Sequence, residues 1–184
     1  MIKIFNAFCL ILLSLLFIQN ANCQTYSIGG GVAYNNTLEI PGLNLRAYKN
    51  IGESFCFGTE FGIFLPKETI EGDKKEDKFV WEVNLVTHYV FELKEKIGIY
   101  PVLGLNYTRE KETIEYLSSG ETEEDTIDAI GFNMGAGIHY PVKHVTPFAE
   151  YAYVTGTLSE HAVIVGLFFT IGKNSEENEK HHAE

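Results

Sequence analysis

Gly131-Phe132-Asn133-Met134-Gly135-Ala136-Gly137-Ile138-His139-Tyr140 alternates without a break. With Ile130 before them, Phe132, Met134, Ala136, Ile138 and Tyr140 share one face of an extended strand, while Gly131, Asn133, Gly135, Gly137 and His139 share the other. A period of two is what a strand between two unlike surroundings demands. Here one side is bulky and apolar, and the other is small or polar.

The same alternation runs outward from this stretch in both directions and gives eight strands, so the fold class is all-β. Their bulky faces begin with Tyr26, Ile28, Val32 and Tyr34; then Leu43, Leu45 and Ala47; then Phe55, Phe57, Phe61, Ile63 and Leu65. Phe79, Trp81, Val83, Leu85, Tyr89 and Phe91 make the fourth, and Ile97, Ile99, Leu103, Leu105 and Tyr107 the fifth. After the sixth come Val145, Ala149, Tyr151 and Tyr153, and last Val163, Val165, Leu167, Phe169 and Ile171. The number is even, and most runs reach the roughly 9 to 11 residues of a tilted membrane-spanning strand. The opposite faces hold Gly29, Gly31, Gly58, Gly62, Gly104 and Gly166, among Asn44, Arg46, Glu60, Glu82, Asn84, His88, Asn106 and Glu150.

Crowding decides which face looks inward. A soluble barrel for a small apolar ligand alternates too, but with its greasy face inside. Eight strands enclose a bore just wide enough for side chains to fill, and the Phe, Tyr, Leu, Ile and Trp residues together exceed it. The bulky face therefore turns outward, and such a belt is solvated only by lipid. The prediction is an eight-stranded antiparallel up-and-down transmembrane β-barrel over residues 24–173. Connections at residues 50–54, 92–96 and 141–144 are short, while the alternate ones are expected to be longer, polar outer loops. Pro41, Pro66, Pro101, Pro141 and Pro147 are expected in loops or near strand ends. Tyr34, Phe79, Trp81, Tyr107 and Tyr153 at one rim, and Tyr89, Phe91, Tyr140 and Phe169 with Tyr26 and Phe55 at the other, suit lipid-facing aromatic girdles.

Ahead of the barrel, Met1-Ile2-Lys3 is a short positive start, residues 8–18 are apolar except Ser14, and Ala21-Asn22-Cys23 has small residues where a signal peptidase cuts. Residues 1–23 read as a secretory signal peptide, too short to span as a helix. A lipoprotein reading of Cys23 lacks the aliphatic residue expected three positions earlier. Cys56 is then the one cysteine of the exported chain, which leaves no internal disulfide. The net charge of −11 argues against a nucleic-acid partner, which needs a basic stripe. Residues 174–184 read as a disordered hydrophilic tail.

Residues 131–138, followed by Thr146-Pro147-Phe148-Ala149-Glu150-Tyr151, resemble the sixth and seventh strands of the small OmpA-like and OmpX-like outer-membrane barrels, especially the single-domain porin-family barrels of Bacteroidota. Gly166-Leu167-Phe168-Phe169-Thr170-Ile171 is similar to the C-terminal signal read by the barrel-assembly machinery, with Gly166, Phe169 and Ile171 as its marks. Ile164 departs from that pattern, as does the chain running on past an aromatic end. The resemblance implies residence in the cell outer membrane, with lipid and lipopolysaccharide around the belt, an extracellular partner of unknown identity, a monomeric state and no cofactor.

Parity gathers Arg46, Glu60, Glu82, His88, Asn106, His139 and Glu150 into a polar lumen. One cation facing three carboxylates must be paired. A structural polar core is one reading; an ionic gate in a plugged lumen, with a narrow porin-like channel as its consequence, is what the resemblance implies. His88 and His139 with nearby Glu residues have metal-ligand chemistry but no fixing spacing, and the His181-His182 pair is too loose to select a metal. No metal site is assigned. Ser159-Glu160-His161 invites a lipid-modifying hydrolase, yet chain neighbours rarely converge as nucleophile, base and orienter. No catalytic residue is assigned. The third outer loop, residues 109–128, is strongly acidic and fits either divalent cations bridging lipopolysaccharide or a basic partner; the second, residues 67–78, mixes both signs. The function expected is structural or surface-interacting rather than enzymatic.

Overall fold

The computed structural model describes residues 25–52, 54–93, 97–142 and 145–171. The expected signal peptide and hydrophilic tail lie outside the described residues. Nine antiparallel strands are present among the described residues: β1 (Thr25–Asn35), β2 (Ile40–Ile51), β3 (Phe55–Glu71), β4 (Lys74–Tyr89), β5 (Phe91–Glu92), β6 (Gly98–Tyr116), β7 (Thr122–His139), β8 (Val145–Gly156) and β9 (Glu160–Ile171). Each pairs with its neighbour in sequence order except that β4 pairs with β6 rather than with β5, and β1 pairs with β9, so the sheet closes. The short β5 continues β4 in unchanged register against β6, and the two count as one barrel strand.

The break between β4 and β5 has a cause on the facing strand. Continuing the β4 to β6 register places Tyr89 opposite Pro101, which has no N–H to give. On the other side the ladder with β3 continues, the Val90 N–H donating to the Ser54 carbonyl at 2.7 Å. Pro101 lies near the start of β6, paired with Ala136. Pro66 sits at a second irregularity, where β3 shifts register against β4 between Phe64 and Lys67.

The bulky face turns outward. Phe132 is 63% exposed and Leu167 44%, whereas Asn133 is 3% exposed and Glu82 7%. Trp81 lies on the outer face, half-covered by Phe61 and Tyr107. The belt of Ile28, Val32, Leu43, Leu45, Phe61, Val83, Leu103, Leu105 and Ile130 has no protein over it.

The lumen is less purely glycine and polar than its face in the sequence implies, because Tyr48, Phe64, Tyr100, Phe148, Ile164 and Phe168 also point inward and are buried. The glycines make room for them. A Cβ at Gly58 would clash with the Tyr48 ring, one at Gly29 with Phe168, one at Gly137 with Tyr100 and one at Gly42 with Phe64. Each ring lies on the bare backbone of the strand beside it, so small and large residues interlock across the bore.

The outer loops differ from the expectation. Residues 67–78 and 109–128 are mostly strand: β3 and β4 join through Gly72 and Asp73 alone, and β6 runs to Tyr116 before turning back at Thr122. Gly72 has φ +60° and Gly120 φ +71°, the left-handed backbone that tight hairpins need. The charged residues there alternate with Thr113, Ile114, Thr122, Thr126 and Ile127, and opposite charges meet across strands: Lys75 with Glu68 at 3.1 Å, Lys78 with Glu112 at 3.2 Å, and Lys111 with Glu124 at 2.9 Å. Charge alone reads as loop; pairing makes it sheet.

Candidate functional site: the filled lumen and the protruding sheet

The lumen has two polar layers. In the lower, Arg46 on β2 reaches past β1 and β9 to Glu150 on β8, with Nη1 and Nη2 donating to its two carboxylate oxygens at 2.8 and 2.9 Å. Nη1 also stands 3.5 Å from Glu60 on β3, and Nε donates to Asn44. The guanidinium covers the Phe148 ring at 4.6 Å, which is itself stacked on Phe168 at 4.3 Å between centroids. The Tyr48 hydroxyl donates to Glu60. His88 packs between Tyr48 and Tyr100, with Nε2 at 3.9 Å from Glu60. Arg46 is 2% and Glu150 3% exposed, so a bidentate, dry pair spans the bore.

Among the described residues the upper layer has no such cation. Asn106 donates to Glu82 at 3.2 Å and to Asn84 at 2.8 Å, and the Thr108 hydroxyl donates to Asn106 at 2.8 Å. Asn35 donates to Glu160. Glu110 is also buried, 4.0 Å from Lys78 at the rim.

The structure thus brings Arg46, Glu60, His88 and Glu150 together, and separately Glu82 and Asn106. His139 stands apart near the lower mouth, over Gly98 and 5.5 Å from the Tyr100 ring centre. The inward carboxylates include Glu110 and Glu160 besides Glu60, Glu82 and Glu150. Sequence reasoning misses both, because the charge run places Glu110 in a loop and the apolar alternation starts the last strand only at Val163. Extending parity back from Gly166 and onward from Asn106 finds them. Glu60, His88 and Glu150 place ligand atoms within 4.8 Å of one another, although both Glu150 oxygens are already held by Arg46.

Ser159, Glu160 and His161 diverge. Glu160 points into the lumen, His161 points out against Tyr151 and Tyr153, and the Ser159 hydroxyl donates to the Gly156 carbonyl at 3.2 Å. The trio forms no catalytic set.

Tyr34, Tyr89, Phe91, Tyr140 and Phe169 are exposed on the outer face, where Phe79, Trp81, Tyr107 and Tyr153 are half-buried. Gly166 lines the lumen under Phe148, and Phe169 and Ile171 face outward.

Above the belt, β3, β4, β6 and β7 carry on together as a four-stranded sheet. Pairing of β2 with β3 ends at Phe64, and pairing of β7 with β8 ends at Gly131, so residues 65–71 of β3 and 122–130 of β7 are open edges. The hairpin tips are tied: Leu117 N–H donates to the Asp73 carbonyl at 2.8 Å, and the Ser118 hydroxyl donates to the Asp73 carboxylate. At its base Arg109 grips Asp128 at 2.6 and 2.8 Å, Tyr107 donates to the same carboxylate at 2.8 Å, and the guanidinium lies 5.8 Å from the Trp81 ring. The hydrogen bonds from Arg109, and then that from Tyr107, hold the Asp128 carboxyl down to about 2.

No protein-family model and no curated protein sequence matches the chain. Solved structures do. A major outer membrane protein of Thermus thermophilus superposes with a TM-score of 0.67 at 9% identity, over 82% of this chain and 100% of that one. The attachment invasion locus protein Ail of Yersinia pestis, solved with the heparin analogue sucrose octasulfate, gives 0.58 at 16% identity over 82% and 100%. The N-terminal β-barrel domain of Pseudomonas aeruginosa OprF gives 0.55 at 13% over 80% and 97%. At these identities the likeness is one of architecture: the chain has the closed eight-stranded, up-and-down fold of the small outer-membrane β-barrels.

Proposed function

We propose that the chain is an integral outer-membrane protein, monomeric and non-enzymatic, whose barrel anchors an interaction sheet outside the cell. The observation that carries this reading is the continuation of β3, β4, β6 and β7 beyond the apolar belt, with an open edge on each side. From the rim to the tips, the strands of β6 and β7 extend by roughly 30 Å at ~3.4 Å per residue. An unpaired edge offers backbone donors and acceptors to an extended segment of another protein. The acidic β6 to β7 hairpin selects against anions, so the polysulfated ligand seen on Ail is not carried over; a basic segment fits, as do divalent cations shared with lipopolysaccharide. Lipid and lipopolysaccharide surround the belt, and the barrel-assembly machinery reads the last strand during biogenesis. The dry Arg46 to Glu150 bridge across the bore favours a structural plug over a conducting channel.

The test pairs location with binding. Outer-membrane fractionation with a heat-modifiability gel should show the protein in that membrane as a compact band that slows on boiling. In lipid nanodiscs, a panel of extended peptides should bind in order of positive charge. Replacing residues 111–126 with a two-residue turn should abolish that binding and keep the heat-modifiable band. Equal binding by the shortened protein would refute the role of the sheet; a soluble mature chain would refute the membrane assignment.

A further inference from the structure

Between the upper polar layer and the wall of β7, β8 and β9 lies a cavity of about 10 Å³, bordered by Glu82, Asn84, Asn133, Glu160 and the lower layer's Glu60. That is room for one water-sized body. Two acceptor oxygens in its wall, Asn133 Oδ1 and Glu160 Oε1, meet no donor among the described residues, though Asn133 is 3% and Glu160 6% exposed. The other Glu160 oxygen accepts from Asn35, and Glu82 Oε2 accepts from Asn106. Sheet register makes the placement rigid: Asn133 pairs with Val154, and Val154 with Glu160, so the two orphans stand in one row across three strands.

Charge points the same way. Among the described residues no cationic side chain borders the cavity, and Arg46 is engaged below with Glu150 and Glu60. Glu82 and Glu160 therefore share a dry space with only amide donors to offset them. Two orphaned acceptor oxygens beside the carboxylates of Glu82, Glu160 and Glu60, with oxygen as the only ligand atom in the wall, describe a hard-cation site.

We propose that this cavity binds one Ca²⁺ ion through Glu160, Asn133 and Glu82, with the oxygens of Asn84 and Glu60 in the same wall completing the set. Ca²⁺ accepts irregular sets of six to eight oxygens at about 2.3 to 2.6 Å, including carboxylates that give both oxygens, whereas Mg²⁺ keeps several waters. A space for one water excludes that hydrated shell. Na⁺ fits the volume but leaves one carboxylate unmatched. The site lies beneath the β1 to β2 turn, where His161 N–H donates to the Thr37 hydroxyl and the Asn36 N–H to the His161 carbonyl. The ion would thus clamp β7 and β9 to β4 under the outer mouth.

The experiment is equilibrium dialysis of radioactive Ca²⁺ against the folded mature protein in nanodiscs, stripped with chelator, together with its unfolding temperature with and without Ca²⁺. One ion per chain should be retained in the presence of millimolar Mg²⁺, with a higher unfolding temperature. Glu160→Gln should weaken binding about tenfold or more, since affinity follows ligand charge, while Glu123→Gln with Glu124→Gln on the exposed hairpin should leave it unchanged. Asn133→Leu provides the arm that does not depend on Glu160: the variant should lose calcium stabilisation, yet unfold at a higher temperature than the stripped parent, because an orphaned oxygen is gone. Calcium binding that survives both lumen substitutions, or that disappears with the hairpin pair, overturns the proposal. So does stabilisation by lowered pH with no calcium retained, which would mean that protons and not an ion neutralise the cavity.

Discussion

The guanidinium of Arg46 has exchanged its water for two carboxylates, an amide oxygen and an aromatic face, and such an exchange is stable only while every partner stays. Arg46→Met leaves Glu150 and Glu60 buried without a cation, and should cost about 3 to 5 kcal/mol in urea unfolding from lipid. The double variant Arg46→Met with Glu150→Leu should recover most of it; equal losses in both would show that packing, not charge, held the site. Gly58 tests the interlocking of small and large residues. A Cβ there meets the Ala47 carbonyl oxygen and the Tyr48 ring, so Gly58→Ala should destabilise by about 1 to 3 kcal/mol, and Tyr48→Ala beside it should relieve only the part due to the ring. On the outer face, Leu105, half exposed at 50%, becomes the probe of lipid contact. Leu105→Arg should lower folding stability in bilayers by roughly 2 to 4 kcal/mol if it lies near the midplane, and unimpaired insertion would contradict the outward assignment.

At the scale of elements, two prolines mark the sheet's irregularities: Pro66 where β3 shifts register on leaving the barrel, Pro101 where β4 breaks into β5. At the base of the protruding sheet Arg109 and Asp128 latch β6 to β7. Because the folded carboxyl titrates near 2, below its ordinary value near 4, the latch contributes in full above about pH 4 and is lost as pH falls through about 2. Arg109 stands over Trp81, the single tryptophan of the sequence. Intrinsic fluorescence should therefore titrate with a midpoint near 2, and Asp128→Asn should abolish the transition. A midpoint near 4 would mean that the latch is open in solution. The same elements show where reading the chain by charge fails. Residues 109–128 carry eight carboxylates against two basic side chains, which a sequence presents as a solvated loop; but Lys78 and Lys111 lie on strands that face them, and only three-dimensional pairing reveals that relief.

For the molecule as a whole, strand order, closure and the inward or outward sense of nearly every residue were legible, because parity is a local property and a narrow bore leaves one solution. Asn133 and Glu82 fell inside, Phe132 and Leu167 outside, as alternation required. Which lumen residues meet was not legible, since that depends on the stagger between strands: Arg46 finds Glu150 a hundred residues on, past two intervening strands. Nor could alternation foresee that Phe148 and Phe168 would stack inside, because their glycine seats lie on other strands.

The pairing of β1 with β9 sets a timetable for synthesis. Until residue 171 has left the ribosome, the first strand has no second neighbour, and every shorter chain is a curled ribbon with two sticky margins. Sealing must therefore wait for the last strand to be made, which makes the escorting of an unfinished ribbon, rather than the strength of the finished cylinder, the step most exposed to failure.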